Sequence, residues 1–427
     1  MRSTFSRSIF PWMIPLVYVA ATIMLAFTLP PLEYKFLPGL NHEMTTSSAI
    51  AIFSSIASGM IALTGIVFSI AFVMVQFSSS AYSPRLVSWF SESPAIFHSL
   101  GLFSATFLYA LAAIGWVDRN GSGKVPFLST WVVLLLLISS VFSLVVLIRG
   151  VSELQVTRVL QLIGRRGRAA IRNTYSLSVS ENGVDLSTGA QHMPISQTLY
   201  FYGEPLVIAA IDTRSLVRLA KEAQGLIVLP YAVGDAVMEG AQLLQILGGA
   251  KRLPDSALAK TIKLARERAF DQDPEYPMRL LVDIAIKALS PAINDPTTAV
   301  QAIDQIEDLL RCLAASRLDV GRMRDEEGMV RLIFPTPKWE DYLSLAIEEI
   351  SFYGASSFQV MRRLRATLKD LAQWAKSPKK EAVQSYLQHL DDIVSRTFSE
   401  ERDRNKARQE DRQGLGHTKV DSPDGPV

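Results

Sequence analysis

Six small or polar residues in the second apolar stretch, Ser54, Ser58, Gly65, Ser69, Gln76 and Ser80, recur at intervals that bring them onto one helix face. Ser54, Gly65 and Gln76 stand eleven residues apart, and Ser58, Ser69 and Ser80 repeat that interval four positions later. Eleven residues make about three α-helical turns, so the side chains form one narrow stripe. Hydroxyl and amide groups in such a row can replace part of the hydration of an ion or a small polar solute. The same small residues also let two helix backbones approach closely, so tight helix packing is the competing use. Gln76 suits a pore or gate better than close packing.

Two further groups carry chemistry. Asn294, Asp295 and Thr297 lie together in a polar loop, where Pro291 ends one helix, Asp295 caps the next and Pro296 suits its first turn. Three such side chains in one loop are also a candidate ligand or interface site. Arg165, Arg166 and Arg168 follow the last apolar stretch and predict contact with anionic lipid headgroups.

Catalytic constellations are not expected. His42, His98, His192, His389 and His417 lack metal-ligand spacing, and His98 reads as a hydrogen-bonded anchor near an interface. Glu348 and Glu349 are adjacent on a helix and point in different directions. There is no phosphate-binding Gly-rich loop or nucleophile elbow. The reading is therefore non-enzymatic, with no cofactor and no metal site. A single cysteine, Cys312, excludes an intramolecular disulfide, and a net charge of +2 gives no reason to expect a nucleic-acid partner.

The elements that position these groups begin with four uncharged stretches, Ser8 to Leu32, Met44 to Pro84, Ser93 to Val117 and Val125 to Ile148. Each exceeds the roughly 20 residues needed to cross a bilayer. They predict spans at about 11–32, 48–78, 96–117 and 127–148. Glu33 and the other charged residues before Arg149 fall between these runs, so no span is expected to bury an ionisable acid or base. Ala49 to Phe77 alone measures about 43 Å as a helix, which requires tilt or projection beyond the bilayer. Arg2 and Arg7 precede the first span, Arg85 follows the second and six arginines follow the fourth, against Lys35, Arg119 and Lys124 in the opposite loops, which places both termini in the cytoplasm of an inner-membrane protein.

After a transmembrane domain at 1–148, the chain predicts a cytoplasmic stalk helix at 149–173, an α+β lobe at 174–250, a helical lobe at 251–398 and a disordered tail at 399–427. The fold class is thus membrane α-helical, with four transmembrane helices, followed by an α+β cytoplasmic domain with a mainly helical C-terminal part. Residues 174–200 read as an exposed connection or weak hairpin, and strands are expected at Leu206 to Ile211, Leu226 to Leu229 and Ala241 to Ile246. From Asp255 onward the pattern reads as helical. The run from Val233 to Leu243, with Gly234 and Gly240, resembles the turn-and-strand pattern of lipoyl-type carriers and of lobes attached to potassium transport proteins. It lacks a lysine to carry a prosthetic group.

Ser58 to Ile70, the exit Tyr82-Ser83-Pro84-Arg85-Leu86 and the Ser290 to Ala299 segment together resemble the bacterial predicted membrane proteins grouped as domain of unknown function 2254. The resemblance extends to about residue 395 and implies the same four-helix plan in a bacterial inner membrane, without implying an activity. The stretch from Gln197 to Pro205 departs from the regular Gly-rich β lead-in expected there. The leading functional expectation is an oligomeric channel- or transport-like protein, with a polar path for a small ion or solute lined by the second helix and regulated by the cytoplasmic domain. The alternative is a membrane-anchored sensor or scaffold for a cytoplasmic partner. Membrane lipid and further copies of the chain are the other expected partners.

Overall fold

The computed structural model describes residues 12–36, 44–77, 94–119, 123–152, 155–175 and 193–415. They fall into two compact units that divide between Gln155 and Val156.

The first unit contains α1 (Met13–Phe36), α2 (Thr46–Phe77), α3 (Pro94–Ile114) and α4 (Phe127–Ser152). All four are long and apolar enough to cross a membrane. The centre is α3, which packs on each of the others. Its sequence explains this, since Ser99, Gly101, Ala105, Thr106, Ala110 and Ala113 give it a buried face of small residues. At Gly101 a Cβ would stand 2.8 Å from the Tyr18 ring of α1. Toward α4, the Ser99 hydroxyl lies 2.8 Å from that of Ser143 and the Thr106 hydroxyl 2.9 Å from that of Ser140.

Pro30 and Pro31 do not end the first span. The helix runs on to Phe36 and carries Glu33, which is 3% exposed, into the bundle. The expectation that no span buries an ionisable side chain is therefore overturned. Along the same helix the Thr28 hydroxyl donates to the Met24 carbonyl at 2.8 Å, and the Tyr34 hydroxyl donates to the Trp116 carbonyl just beyond α3 at 3.2 Å.

The second unit begins with α5 (Val156–Tyr175) and continues through β1 (Ile195–Tyr200), β2 (Leu206–Ile211), α6 (Thr213–Glu222), β3 (Leu226–Val228), β4 (Ala236–Val237) and β5 (Gln242–Leu247). Next come α7 (Asp255–Ala259), β6 (Ile262–Ala265), α8 (Glu275–Ala288), α9 (Pro296–Ala315), β7 (Arg322–Arg324) and β8 (Val330–Ile333). The chain then forms α10 (Trp339–Tyr353), α11 (Phe358–Trp374), α12 (Lys379–Thr397) and α13 (Glu401–Ala407). One sheet has the order β1-β5-β3-β8-β7 and the other β4-β2-β6.

Three segments differ from expectation for identifiable reasons. Residues 195–200 form an edge strand with two register shifts against β5, and buried Gln197 fixes it by accepting the Leu253 N–H at 3.0 Å and donating to the Leu253 carbonyl at 2.8 Å. Ile262–Ala265 is a strand on β2, and β8 runs parallel to β3, so the sheets reach into the region read as a helical lobe. Short apolar runs fit either period, and only long-range pairing decides them. In the tail, α13 and residues up to 415 are ordered against the helical part: the Arg362 guanidinium donates to the Gln409 side chain at 3.1 Å, and the Gln359 amide to the Gly414 carbonyl at 2.5 Å.

Candidate functional site

On α2 the stripe stands apart from the face used for packing. Ala49, Phe53, Ala57, Met60, Val67 and Met74 are buried, and this face packs on α3. At about 100° per residue, Ser54, Ser58, Gly65, Ser69 and Gln76 lie roughly opposite, and all five are exposed. A Cβ at Gly59 or Gly65 would meet nothing within 4 Å. The Ser69 hydroxyl donates to the Gly65 carbonyl at 3.0 Å, so its proton is satisfied within the helix while its lone pairs face outward. Among the described residues, packing of α2 on α3 therefore does not account for the stripe. Ser80 lies outside the described residues.

The Asn294–Thr297 loop is organised by its cap. Asp295 Oδ1 accepts the Thr298 N–H at 3.1 Å, and Oδ2 accepts the Thr298 hydroxyl at 2.5 Å. Asn294 takes a left-handed conformation, φ +47°, as the chain turns between α8 and α9. Asn294 and Thr297 are exposed.

The three arginines sit on α5, which is an integral helix of the second unit rather than a separate stalk. Gly164 and Gly167 allow it to approach α9, with Leu309 Cδ atoms 2.8 Å from where a Cβ at Gly167 would be. Arg168 pairs with Asp308, and the Arg166 guanidinium lies 5.4 Å from the Phe270 ring centroid. Arg165 is exposed. In the first unit, His98 Nδ1 lies 3.3 Å from the Tyr18 hydroxyl, the anchoring arrangement expected for it.

The turn of the Val233–Leu243 run is fixed by a contact that the sequence does not announce. Gly234 has φ +98°, and a Cβ there would lie 2.3 Å from Arg268 Nη2. Arg268 in turn grips Asp273 with bonds of 2.6 and 2.9 Å. Burial pushes the Asp273 carboxyl above the ordinary carboxylate range, against the opposing pull of Arg268. Nearby, the Tyr175 and Tyr342 hydroxyls meet at 2.7 Å. Burial raises both phenols, Tyr175 to about 12. Glu349 is held below its usual range by the Arg279 guanidinium. Burial raises the Cys312 thiol, so it is not an activated nucleophile.

Sequence reasoning missed one polar cluster. Glu33 Oε1 accepts the backbone N–H of Phe127 at the start of α4, while Glu33 Oε2, the Tyr109 hydroxyl and the Ser129 hydroxyl are buried without hydrogen-bond partners among the described residues. The signal in the sequence is an acid directly after the span that ends at Leu32, whereas the helix runs on to Phe36.

The family model described as predicted membrane protein, domain of unknown function 2254, matches residues 10–370. The chain belongs to this family. Two uncharacterised proteins, one from Mycobacterium bovis and one from Mycobacterium tuberculosis, are each 26% identical to this family member over 409 residues, covering 92% of this chain and 78% of the relative. No solved structure matches it. The family match covers all four apolar helices of this predicted membrane protein and ends within α11, so α12, α13 and the ordered tail lie beyond it.

Proposed function

We propose that this membrane protein is an oligomeric channel or transport-like protein in which α2 lines a polar path. The observation that carries this reading is the placement of Ser54, Ser58, Gly65, Ser69 and Gln76 on the face of α2 turned away from α3. In lipid, an exposed row of hydroxyl, glycine and amide groups gains little from acyl chains and more from a second copy or a hydrated lumen. Self-association through this face would bring several stripes around one axis. In this reading the second unit is cytoplasmic and regulatory, both termini are cytoplasmic, and the location is a bacterial inner membrane. The six arginines between Arg149 and Arg172, after the fourth span, support that orientation.

The test is reconstitution of the full-length protein into liposomes, with ion and solute flux recorded under varied voltage, tension and pH. Flux is expected in the wild type and its loss in Ser69→Leu. Absence of flux under every condition would overturn the reading.

A second reading, a membrane-anchored scaffold, is favoured by Phe352 and Tyr353 at the end of α10, which are 75% and 52% exposed. Aromatic side chains in such positions are frequent anchors for partner proteins. Capture of a defined cytoplasmic partner that is lost in Phe352→Ala would support it.

A further inference from the structure

Glu33 presents an unusual combination in the first unit. Its Oε1 is held by the Phe127 N–H, at a helix N-terminus that favours negative charge. Its Oε2 has no hydrogen-bond partner. Two further oxygens are in the same condition, the Tyr109 hydroxyl from α3 and the Ser129 hydroxyl from α4, on residues that are each 1% exposed. Ser129 stands two residues along α4 from the Phe127 amide that Glu33 holds, and Tyr109 shares a buried cluster with Val125 just before that helix, so the three residues converge at the start of α4. The Tyr109 ring is packed among apolar side chains that include Ala26, Ala113 and Val125.

Buried polar atoms in native proteins are otherwise paired, and three unpaired oxygens around one carboxyl call for an occupant. The donors are hard oxygens, the chemistry of alkali and alkaline-earth cations. With a single carboxylate, a monovalent cation is neutralised one to one, whereas a divalent cation would keep an uncompensated charge in an apolar surround. We propose that Glu33, Tyr109 and Ser129 form a site for a monovalent alkali cation that competes with a proton for the Glu33 carboxyl. The other ionisable groups near it are Tyr34 on α1 and Arg119 beyond α3. No ionisable side chain occurs in α2, and the only one in α4, Arg149, is at that helix's far end. The site involves α1, α3 and α4 and needs no pore on α2.

The experiment is labelling of the full-length detergent-solubilised protein with dicyclohexylcarbodiimide, an apolar reagent for protonated buried carboxyls, with the Glu33 peptide quantified by mass spectrometry. Labelling is expected at mildly acidic pH in choline chloride and is abolished in Glu33→Gln. Sodium chloride lowers it roughly tenfold once sodium is about ten times its dissociation constant, because free sites fall as 1 + [L]/Kd. Tyr109→Phe and Ser129→Ala are expected to keep the label and lose the sodium protection. Equal labelling in choline, lithium, sodium and potassium would overturn the proposal in favour of a pocket holding only water or a proton. So would a failure to label Glu33 at any pH in a monodisperse preparation, which would leave a helix cap. Flux is not measured, so neither outcome bears on the pore.

Discussion

Arg363 of α11 and Glu307 of α9 meet at 2.6 Å, with both side chains 8% exposed. The other Arg363 nitrogens reach Asp304 and the Thr367 hydroxyl, each at 2.8 Å, and that hydroxyl lies 3.1 Å from Glu307 Oε2. The guanidinium fork is thus satisfied on three sides at the centre of the helical part.

Replacing Glu307 leaves the buried Arg363 with Asp304 alone, a half-exposed carboxylate, and takes from Arg311 its nearer partner. Glu307→Gln is therefore expected to destabilise the second unit by roughly 3–5 kcal/mol. The double replacement Glu307→Leu with Arg363→Met is expected to cost less than Glu307→Gln alone. Urea denaturation followed by the protease susceptibility of the full-length protein reads both. A loss below about 1 kcal/mol for Glu307→Gln would mean that solvent screens the pair as it does a surface bridge.

The Tyr175–Tyr342 bond ties α5 to α10. Tyr175→Phe leaves the Tyr342 hydroxyl buried without that partner, so it is expected to cost about 1–3 kcal/mol, and the double phenylalanine variant less. Both phenols hold their protons more tightly when folded than when unfolded. Their contribution to stability is then complete below the ordinary tyrosine value near pH 10 and is lost as pH rises toward about 12. Unfolding midpoints across that alkaline range should fall steeply in the wild type and less steeply in the double variant.

The four apolar helices were legible because their cause is local: long uncharged runs need no partner to be recognised. The α2 stripe was legible for the same reason, being a matter of spacing along one helix. Long-range pairing was not. Ile262–Ala265 and Val330–Ile333 are strands only because β2 and β3 stand beside them. Glu33 was hidden by Pro30 and Pro31, which suggest a helix end, whereas the helix continues to Phe36. Asp295 was read correctly as a cap, since an Asp-Pro pair fixes its own surroundings.

The ordered tail gives a third expectation. Its charged sequence reads as disorder, yet Ala407 is fully buried, Asp411 accepts the backbone N–H groups of Gln413 and Gly414 at 3.1 and 2.9 Å, and Gly414 packs on Val300. Truncation after Phe398 removes these contacts and the bond to Arg362. It should therefore lower the urea midpoint of the second unit, whereas truncation after Leu415 should leave it unchanged. Equal midpoints for the two truncations would mean that the tail adds no stability.

Two glycines in the first unit separate folding from assembly. Gly101 abuts the Tyr18 ring, so Gly101→Leu forces α1 and α3 apart and is expected to cost about 1–3 kcal/mol as an overpacked site. Gly65 has open space where its Cβ would be, so Gly65→Leu should leave the fold of the single chain within about 0.5 kcal/mol of the wild type. If the stripe is where copies meet, the same substitution inserts a bulky side chain into that contact and should reduce the oligomer seen by multi-angle light scattering in detergent. The contrast is what gives the experiment its force. A Gly65→Leu protein with the wild-type helix content and the wild-type mass would remove the stripe from the assembly interface, and a Gly101→Leu protein of unchanged stability would contradict the packing of α3 on α1.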